Sequence, residues 1–162
     1  MLLKNKILEL LEKDSKISSQ DISAILNEDI NLIEKSICEL EADKVICGYH
    51  TLINWEKTDN QNVSAIIELK VNPQKGHGFD KIAEKIYIFS EVESVYLMSG
   101  SYDLLVQLRK APMREIANFV SSKLSVIDEV QATSTHVILK KYKDHGTLYV
   151  DDKNDKRQVI TP

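Results

Sequence analysis

The sequence contains few of the residues that interrupt or cross-link a chain. Its 162 residues include five glycines, three prolines and two cysteines. This composition excludes collagen-like, low-complexity and disulfide-stapled proteins. No apolar run approaches the roughly 18 residues that a membrane-spanning helix requires, and the first residues lack the charged and then apolar order of a signal peptide. We therefore expect a soluble, cytoplasmic protein that has no membrane contact.

Motifs of catalysis and of metal or cofactor binding are also missing. The four histidines are scattered, without an HExxH or a CxxC motif. The sequence has no P-loop, no GxGxxG and no GxSxG motif. His77 has no nucleophile or acid beside it in a motif, and Cys38 and Cys47 are predicted to be free thiols, one buried and one at the surface. We therefore predict no enzymatic activity, no metal site and no cofactor.

Charge is unevenly distributed along the chain. The protein has 21 basic and 25 acidic residues, which give a net charge of -4. Residues 1–44 hold six lysines and ten acidic residues, whereas residues 45–162 hold fifteen residues of each sign. The whole net charge therefore belongs to the first quarter of the chain. An acidic segment disfavours contact with the phosphates of nucleic acids, so a DNA-binding role there has to be argued from a motif.

The first 44 residues carry the pattern of three helices. Apolar residues recur at helical spacing in two stretches, namely Leu3, Ile7, Leu10 and Leu11, and then Ile30, Ile33, Ile37 and Leu40. Between these stretches, Ser18 is a typical N-cap with Asp21 three residues further on. Asp29 is a typical N-cap for the third helix. Because only a few residues separate the second helix from the third, the pattern predicts a helix-turn-helix.

Two short strand-like segments follow the third helix, at residues 45–49 and 52–55. They predict a wing, so residues 1–55 are predicted to form a winged helix-turn-helix domain. Residues 56–62 are polar and are predicted to be a linker.

Residues 63–142 follow the order β-α-β-β-α-β. Alternating apolar residues predict the strands, Gly76-His77-Gly78 opens the first helix, and Pro112 is predicted to be the first residue of the second. The predicted strands are residues 63–71, 92–98, 102–109 and 130–142. This order is typical of a ferredoxin-like domain, so the whole chain is predicted to have an α+β fold. Residues 143–162 are predicted to form a polar tail with one short strand at residues 147–150.

Two stretches of the sequence carry a family resemblance. One is Leu40-Glu41-Ala42-Asp43-Lys44-Val45-Ile46-Cys47-Gly48-Tyr49, and the other is Met98-Ser99-Gly100-Ser101-Tyr102-Asp103-Leu104-Leu105-Val106. They are similar to the Leu-Glu-x-x-Gly-x-Ile-x-Gly-Tyr stretch and the Gly-x-Tyr-Asp-Leu turn of the Lrp/AsnC transcription regulators. The chain resembles that family over residues 2–142. Lys44 departs from the pattern, because the family usually has glycine at this helix end.

The resemblance implies an oligomeric, ligand-responsive regulator. Members of the family dimerise by packing their βαββαβ sheets face to face, and the dimers often associate into octamer-like rings. Amino acids or related small molecules bind at the sheet domain, near the contacts between dimers, and alter assembly or DNA binding. The partners implied for this chain are double-stranded DNA, an amino-acid or small-molecule effector and further copies of the chain.

Five residues are candidates for the DNA contact. The recognition helix of a helix-turn-helix lies in the major groove, and here it is the third predicted helix. Its outward residues include Asn31, which suits adenine, and Lys35, which suits guanine or phosphate. Ser18, Ser19 and Gln20 stand at a helix N-terminus, where amide and hydroxyl groups suit a phosphate.

Acidic residues on the same helix oppose this interpretation. Glu28, Asp29, Glu34 and Glu39 repel phosphates, and the arginines that the family commonly carries along this helix are missing. A second hypothesis therefore stays open. In it, the chain is a small-molecule sensor with weak or no DNA binding, and its acidic N-terminal domain contacts a protein partner.

Seven residues are candidates for the effector site: Gly100, Ser101, Tyr102, Asp103, Thr133, Ser134 and Thr135. Gly100 permits a positive φ and a close approach of the backbone, and Asp103 carries the charge that an α-ammonium group needs. The hydroxyl groups of the other five would line the same interface. The alternative is structural, with Gly100 forming the hairpin, Tyr102 packing in the core and Asp103 bonding to the turn. In this alternative, Thr133, Ser134 and Thr135 are ordinary strand residues.

Overall fold

The structure of the protein is a computed structural model that describes residues 2–73 and 78–149. The chain folds as two compact units that divide between Ile53 and Asn54. Three helices form the first unit, and a four-stranded sheet with two helices forms the main part of the second. The α+β class and the β-α-β-β-α-β order are thus confirmed. No helix within the described residues is long and apolar enough to cross a membrane.

The N-terminal unit consists of three helices around a small apolar core. The helices are α1 (Leu2–Lys13), α2 (Ser19–Leu26) and α3 (Ile30–Ala42). Each contributes one completely buried isoleucine, and these are Ile7, Ile22 and Ile33. Partly buried leucine and isoleucine side chains pack around these three residues. The helical spacing of the apolar residues therefore corresponds to a real core.

The two predicted N-caps hold α2 and α3 in place. The hydroxyl of Ser18 accepts the backbone N–H of Asp21 at 3.1 Å and donates to the Asp21 carboxylate at 2.6 Å. Asn27 ends α2 in the left-handed conformation, with a φ of 52°. Asp29 then caps α3, because its carboxylate accepts the N–H of Asn31 at 2.8 Å. The helix-turn-helix is thus built from local side-chain bonds that the sequence predicted.

The strand prediction for the wing is wrong. Residues 45–49 and 52–55 are all described, and none of them is in a strand. The N–H groups of Val45 and Ile46 donate instead to the carbonyl of Leu40, at 2.9 and 3.0 Å. These bonds complete the C-terminal turn of α3, so the two amides are not available to a hairpin. A two-stranded hairpin without further strands is also only marginally stable.

The second unit contains one antiparallel sheet in the order β2-β3-β1-β4. Its strands are β1 (Val63–Val71), β2 (Val92–Leu97), β3 (Leu104–Ala111) and β4 (Val130–Ile138). Two helices, α4 (Gly78–Tyr87) and α5 (Met113–Phe119), contribute buried side chains to the same core as the sheet. This topology is ferredoxin-like, as predicted.

The two faces of the sheet differ in burial. The helix-covered face presents the buried residues of the two central strands, which are Ala65, Ile67, Leu69, Leu104, Val106 and Leu108. The opposite face, here called the open face, presents residues such as Ile66, Glu68, Leu105 and Gln107, which are only half-buried. The alternation predicted for β1 therefore separates an apolar core face from a mixed face on which none of the described helices packs.

Several predicted boundaries shift in the structure. β3 begins at Leu104 instead of Tyr102, and β4 ends at Ile138 instead of Tyr142. Pro112 is the N-cap of α5 and not its first residue, because its ψ of 143° is extended. α5 then passes into a π-helical turn, Val120–Leu124.

The polar tail begins with a small hairpin. β5 (Lys143–Asp144) pairs with β6 (Thr147–Leu148) across His145 and Gly146, which both have positive φ. Positive φ at both central residues is the type I′ geometry that matches the twist of a hairpin. The predicted strand at 147–150 is confirmed at its first two residues, and Val150 lies outside the described residues. Gly76 and His77, which were predicted to open α4, also lie outside the described residues.

Candidate functional site

The five predicted DNA contacts lie on the N-terminal unit and differ in accessibility. Asn31 and Lys35 are exposed and one helical turn apart, so they share one face of α3. Gln20 is exposed in the first turn of α2, whereas Ser18 and Ser19 are half-buried. The Ser18 hydroxyl already has a donor and an acceptor within the chain. The structure thus favours a capping role for Ser18 and leaves the other contacts as predictions.

The acidic residues of α3 are not equivalent. Asp29 caps the helix, so its carboxylate stands where a helix N-terminus favours negative charge. The carboxylate of Glu39 lies 2.7 Å from the ammonium of Lys4. This bond lowers the pKa of Glu39 and raises the pKa of Lys4. Among the described residues, none pairs with the exposed Glu34. The repulsion of phosphates predicted for this helix is therefore smaller than its sequence indicates.

The turn between β2 and β3 is held by Asp103. The carboxylate of Asp103 accepts the backbone N–H of Val71 at 2.9 Å and contacts the ammonium of Lys70 at 3.0 Å. The bond from Val71, and then the one from Lys70, lowers the pKa of Asp103. Its backbone N–H also donates to the carbonyl of Leu69 at 2.9 Å. Both carboxylate oxygens are thus engaged within the chain, which favours the structural interpretation of this residue.

Gly100 does not use its conformational freedom. The glycines with positive φ in the described part of the chain are Gly78 and Gly146, so Gly100 does not adopt the positive φ that glycine permits. No atom outside the neighbouring residues lies within 4 Å of the position that a Cβ would take at Gly100. The turn is open at this residue. Tyr102 is half-buried and not a core residue, which leaves its hydroxyl a candidate for contact with a ligand.

The structure places the three β4 candidates on different faces of the sheet, and β1 separates β4 from the strand that carries the turn. Thr133 pairs with Leu69, whose other neighbour is Leu104, so Thr133 lies at the same end of the sheet as the turn. Thr133 and Thr135 are on the helix-covered face, whereas Ser134 is on the open face. The three residues therefore cannot line one surface. Residues two apart on a strand share a face, and adjacent residues do not.

Ser134 belongs to a polar group on the open face. Its hydroxyl lies 3.2 Å from Nε2 of His136, and the same nitrogen is 3.5 Å from a carboxylate oxygen of Glu68. The group occupies adjacent positions of β1 and β4. Its polar atoms are exposed and point away from the helices.

The thiols and possible metal ligands add no further site. Cys38 and Cys47 are both exposed free thiols, so the prediction that one of them is buried is wrong. The core of the N-terminal unit is filled by aliphatic side chains, and Cys38 lies on the outer side of α3. No group of three or more histidine, cysteine, aspartate and glutamate side chains within residues 2–73 and 78–149 is arranged to hold a metal ion.

A concavity that was not predicted from the sequence lies between β3 and α5. It has a volume of about 220 Å³ and is lined by both apolar and charged side chains. The sequence signal for it is weak, because its residues are spread over β3, α5, the π-helical turn and Glu91 just before β2.

Comparison with known proteins gives consistent results over most of the chain. Residues 64–148 match the Lrp/AsnC ligand binding domain. The chain is 46% identical over 158 residues to the HTH-type transcriptional regulator YugG of Bacillus subtilis. This match covers 97% of this chain and 95% of the relative. It is 31% identical over 145 residues to the HTH-type transcriptional regulator FL11 of Pyrococcus furiosus, and this match covers 90% of this chain and 93% of the relative.

A solved structure has a similar fold. The transcriptional regulator NMB0573 from Neisseria meningitidis, solved as an L-Met complex, superposes with a TM-score of 0.70. The match covers 88% of this chain and 91% of the other, at 22% sequence identity. At this identity the likeness shows a shared fold.

Proposed function

Because the chain belongs to the Lrp/AsnC family of transcriptional regulators, we propose that its N-terminal unit binds double-stranded DNA and that a small molecule bound to its sheet unit alters this binding or the assembly of the protein. The observation that carries the proposal is the similarity to HTH-type transcriptional regulators over almost the whole chain. Members of this family are regulators and not enzymes, so the protein is assigned no catalytic role. We propose that it acts in the cytoplasm, where its proposed DNA partner lies.

The DNA contact is proposed for the exposed face of α3. Asn31 and Lys35 share this face, and an amide and an ammonium are groups that contact base edges and phosphates in the major groove. Gln20 and the first backbone amides of α2 are proposed to contact a phosphate. Because Lys4 partly neutralises Glu39, the carboxylate of Glu34 is the main opposing charge on this face.

The effector is proposed to be an amino acid or a related small molecule that binds at the turn between β2 and β3. The open backbone at Gly100 and the hydroxyls of Ser101 and Tyr102 support this location, and Thr133 lies at the same end of the sheet. The Neisseria protein of similar fold was solved in complex with L-Met, which supports the class of effector. Asp103 is proposed to shape the site, because its carboxylate already binds Val71 and Lys70.

A second copy of the chain is proposed to cover the open face of the sheet. This face leaves half-buried apolar side chains such as Ile66 and Leu105 uncovered, and the exposed Tyr96 lies beside Leu105. Apolar surface of this kind is stabilised when a partner removes it from water. Association of the dimers into an octamer-like ring is the further step proposed, in line with the family.

The DNA-binding proposal can be tested with the full-length protein and labelled duplexes from the region upstream of its own gene. Fluorescence anisotropy should detect binding that weakens steeply as the salt concentration rises. Lys35→Ala should weaken binding and reduce the slope of log K against log salt by about 1. Lys6→Ala, on α1, makes the same change of charge away from the proposed contact and should have a much smaller effect.

The effector proposal uses the same assay with each of the twenty amino acids added in turn. At least one of them should change DNA affinity or the size of the complex. If no duplex binds even at low salt, with or without amino acids, the DNA-binding proposal is wrong. The second hypothesis, in which the acidic N-terminal unit contacts a protein partner, would then be favoured if the intact chain retained a protein through residues 1–53 and retained no DNA. The acidity of residues 1–44 supports this hypothesis.

A further inference from the structure

The concavity beside α5, here called the α5 cleft, lies at the end of the sheet opposite to the turn between β2 and β3. Leu108, which lines the cleft, pairs with Ala65 near the start of β1, whereas Leu104 beside the turn pairs with Leu69 near its end. The floor of the cleft is apolar and consists of Leu108, Ala111, Ile116 and Phe119. Its rim is polar and consists of Glu91, Arg109, Glu115, Asn118, Ser122 and Lys123.

Three departures from regular secondary structure surround the α5 cleft. β2 contains one extra residue, Glu93, relative to β3, and β3 contains one extra residue between Leu108 and Ala111 relative to β1. Opposite these bulges, α5 widens into the π-helical turn Val120–Leu124. Bulges re-aim side chains, and both bulges and π-helical turns are frequent at functional sites. Arg109 of the β3 bulge and Ser122 and Lys123 of the π-helical turn line the cleft, so irregular backbone shapes its wall.

Two of the four charged side chains on the rim already satisfy each other. The ammonium of Lys123 forms an ion pair with Glu91 and lies over the rings of Phe89 and Phe119, at 5.2 and 5.7 Å from the centroids. The bond from Lys123 also lowers the pKa of Glu91. Because Lys123 and Glu91 pair with each other, they contribute no net charge to the binding of a ligand in the cleft.

The other two charged side chains have no partner among the described residues. Neither the guanidinium of Arg109 nor the carboxylate of Glu115 forms an ion pair or a hydrogen bond with the described residues, and both are exposed at the rim. The side-chain amide of Asn118 is equally unoccupied within that part of the chain. Within residues 2–73 and 78–149, the cleft thus offers one unpaired positive group, one unpaired negative group and an amide above an apolar floor.

We propose that the α5 cleft is a small-molecule site for a compact apolar α-amino acid, separate from the site at the turn. Arg109 binds the carboxylate of the ligand, since a guanidinium matches a carboxylate with two parallel hydrogen bonds. Glu115 binds the α-ammonium group, and the apolar side chain lies on Ile116 and Phe119. The volume of about 220 Å³ is below the range of drug-sized pockets, which selects a small ligand. This inference rests on the proposed response of the protein to amino acids.

Calorimetry with L-leucine and two analogues tests the pairing of charges. 4-Methylpentanoate lacks the ammonium group and 3-methylbutylamine lacks the carboxylate, so each should bind the cleft at least about tenfold more weakly than leucine. Arg109→Gln and Glu115→Gln should each weaken leucine binding to a similar extent. Arg114→Gln and Glu84→Gln are matched controls, because they remove the same charges from exposed positions outside the cleft, and they should leave the affinity unchanged.

Photoleucine, a diazirine analogue of leucine, identifies which site is occupied. After irradiation of the full-length protein, mass spectrometry should locate label within residues 109–123, and Arg109→Gln should abolish that label while any label within residues 98–103 persists. Label at residues 98–103 alone, or label at residues 109–123 that survives Arg109→Gln, would overturn the inference. Label at residues 109–123 in a protein that binds no duplex would support a ligand site in the cleft and contradict the proposed DNA binding. A failure of the cleft proposal can therefore be distinguished from a failure of the DNA-binding proposal.

Discussion

The ammonium of Lys4 lies 2.7 Å from a carboxylate oxygen of Glu39, and this ion pair joins the first helix to the helix proposed to read DNA. Lys4 lies on α1 and is not on the face of α3 that carries Asn31 and Lys35. It affects that face all the same, because it neutralises one of its negative charges. The charge that DNA meets on α3 therefore depends on a residue of another helix.

Removal of Lys4 should weaken DNA binding although this residue is not a proposed contact. In Lys4→Gln the carboxylate of Glu39 loses its partner and repels phosphates, so we expect DNA affinity to fall by about two- to fivefold at low salt. Lys6→Gln removes the same charge from the same helix without breaking this ion pair, and its effect should be smaller. The double variant Lys4→Gln, Glu39→Gln should recover the loss. Equal effects of the two single variants in anisotropy titrations would contradict this role of the pair.

Replacement of Lys44 by glycine should stabilise the N-terminal unit. Lys44 follows the C-cap of α3 and has a φ of 58°, a left-handed conformation that costs a residue with a Cβ about 1 kcal/mol or more. Lys44→Gly should therefore raise the free energy of opening of α3 by about 1 kcal/mol, as measured by hydrogen exchange. Lys6→Gly, in the interior of α1, should lower stability by about the same amount. A loss of protection in Lys44→Gly would show that the lysine side chain contributes more than the strain costs.

The carboxylate of Asp103 should make the sheet unit sensitive to acid. The bonds from Val71 and Lys70 hold its pKa in the folded protein below the ordinary value of about 3.9. A lowered pKa contributes stability that is present above the ordinary value and is lost as the pH falls through the folded value. Asp103→Asn should therefore reduce stability near neutral pH by about 1 kcal/mol or more and flatten its decline below about pH 4.

Asp128→Asn is the matched control for this prediction, because Asp128 is exposed in the loop before β4. Denaturant unfolding at a series of pH values should show an unchanged acid dependence in this variant. If Asp103→Asn retained the wild-type dependence as well, the two bonds would not contribute measurably to the stability of the turn.

Local signals in the sequence predicted local structure reliably. Ser18 and Asp29 cap their helices as predicted, because an N-cap needs only a side-chain oxygen and the next few amides. The strands predicted at residues 45–49 and 52–55 failed, since the amides of Val45 and Ile46 complete the end of α3. Whether these amides bond to the end of α3 or to a hairpin depends on the geometry of one helix end, which apolar alternation does not encode.

The site was less predictable than the fold, because it depends on contacts between elements. The pairing of Lys4 with Glu39 follows from the packing of α1 against α3, and the two bulges beside the α5 cleft follow from strand register. One error was avoidable from the sequence alone. Thr133 and Ser134 are adjacent on a strand, so they had to face opposite sides of the sheet.

The open face of the sheet should be the surface on which two chains associate. Leu105 is central to this face, with Glu68 on β1 and Tyr96 on β2 as its cross-strand neighbours. Leu105→Glu would place a charge without a partner in the proposed interface, next to Glu68, so the dimer should dissociate to monomers at concentrations at which the wild type is dimeric. Light scattering after size-exclusion chromatography measures this, and circular dichroism checks that the sheet still forms.

Ile88→Glu is the control for the dimer prediction. Ile88 is 71% exposed and lies outside the sheet, so a charge there should leave the dimer intact. A dimeric Leu105→Glu variant would show that the open face is not the contact. Dissociation of Ile88→Glu instead would place the association on the surface beyond α4, and the half-buried Ile66 and Leu105 would then need another partner.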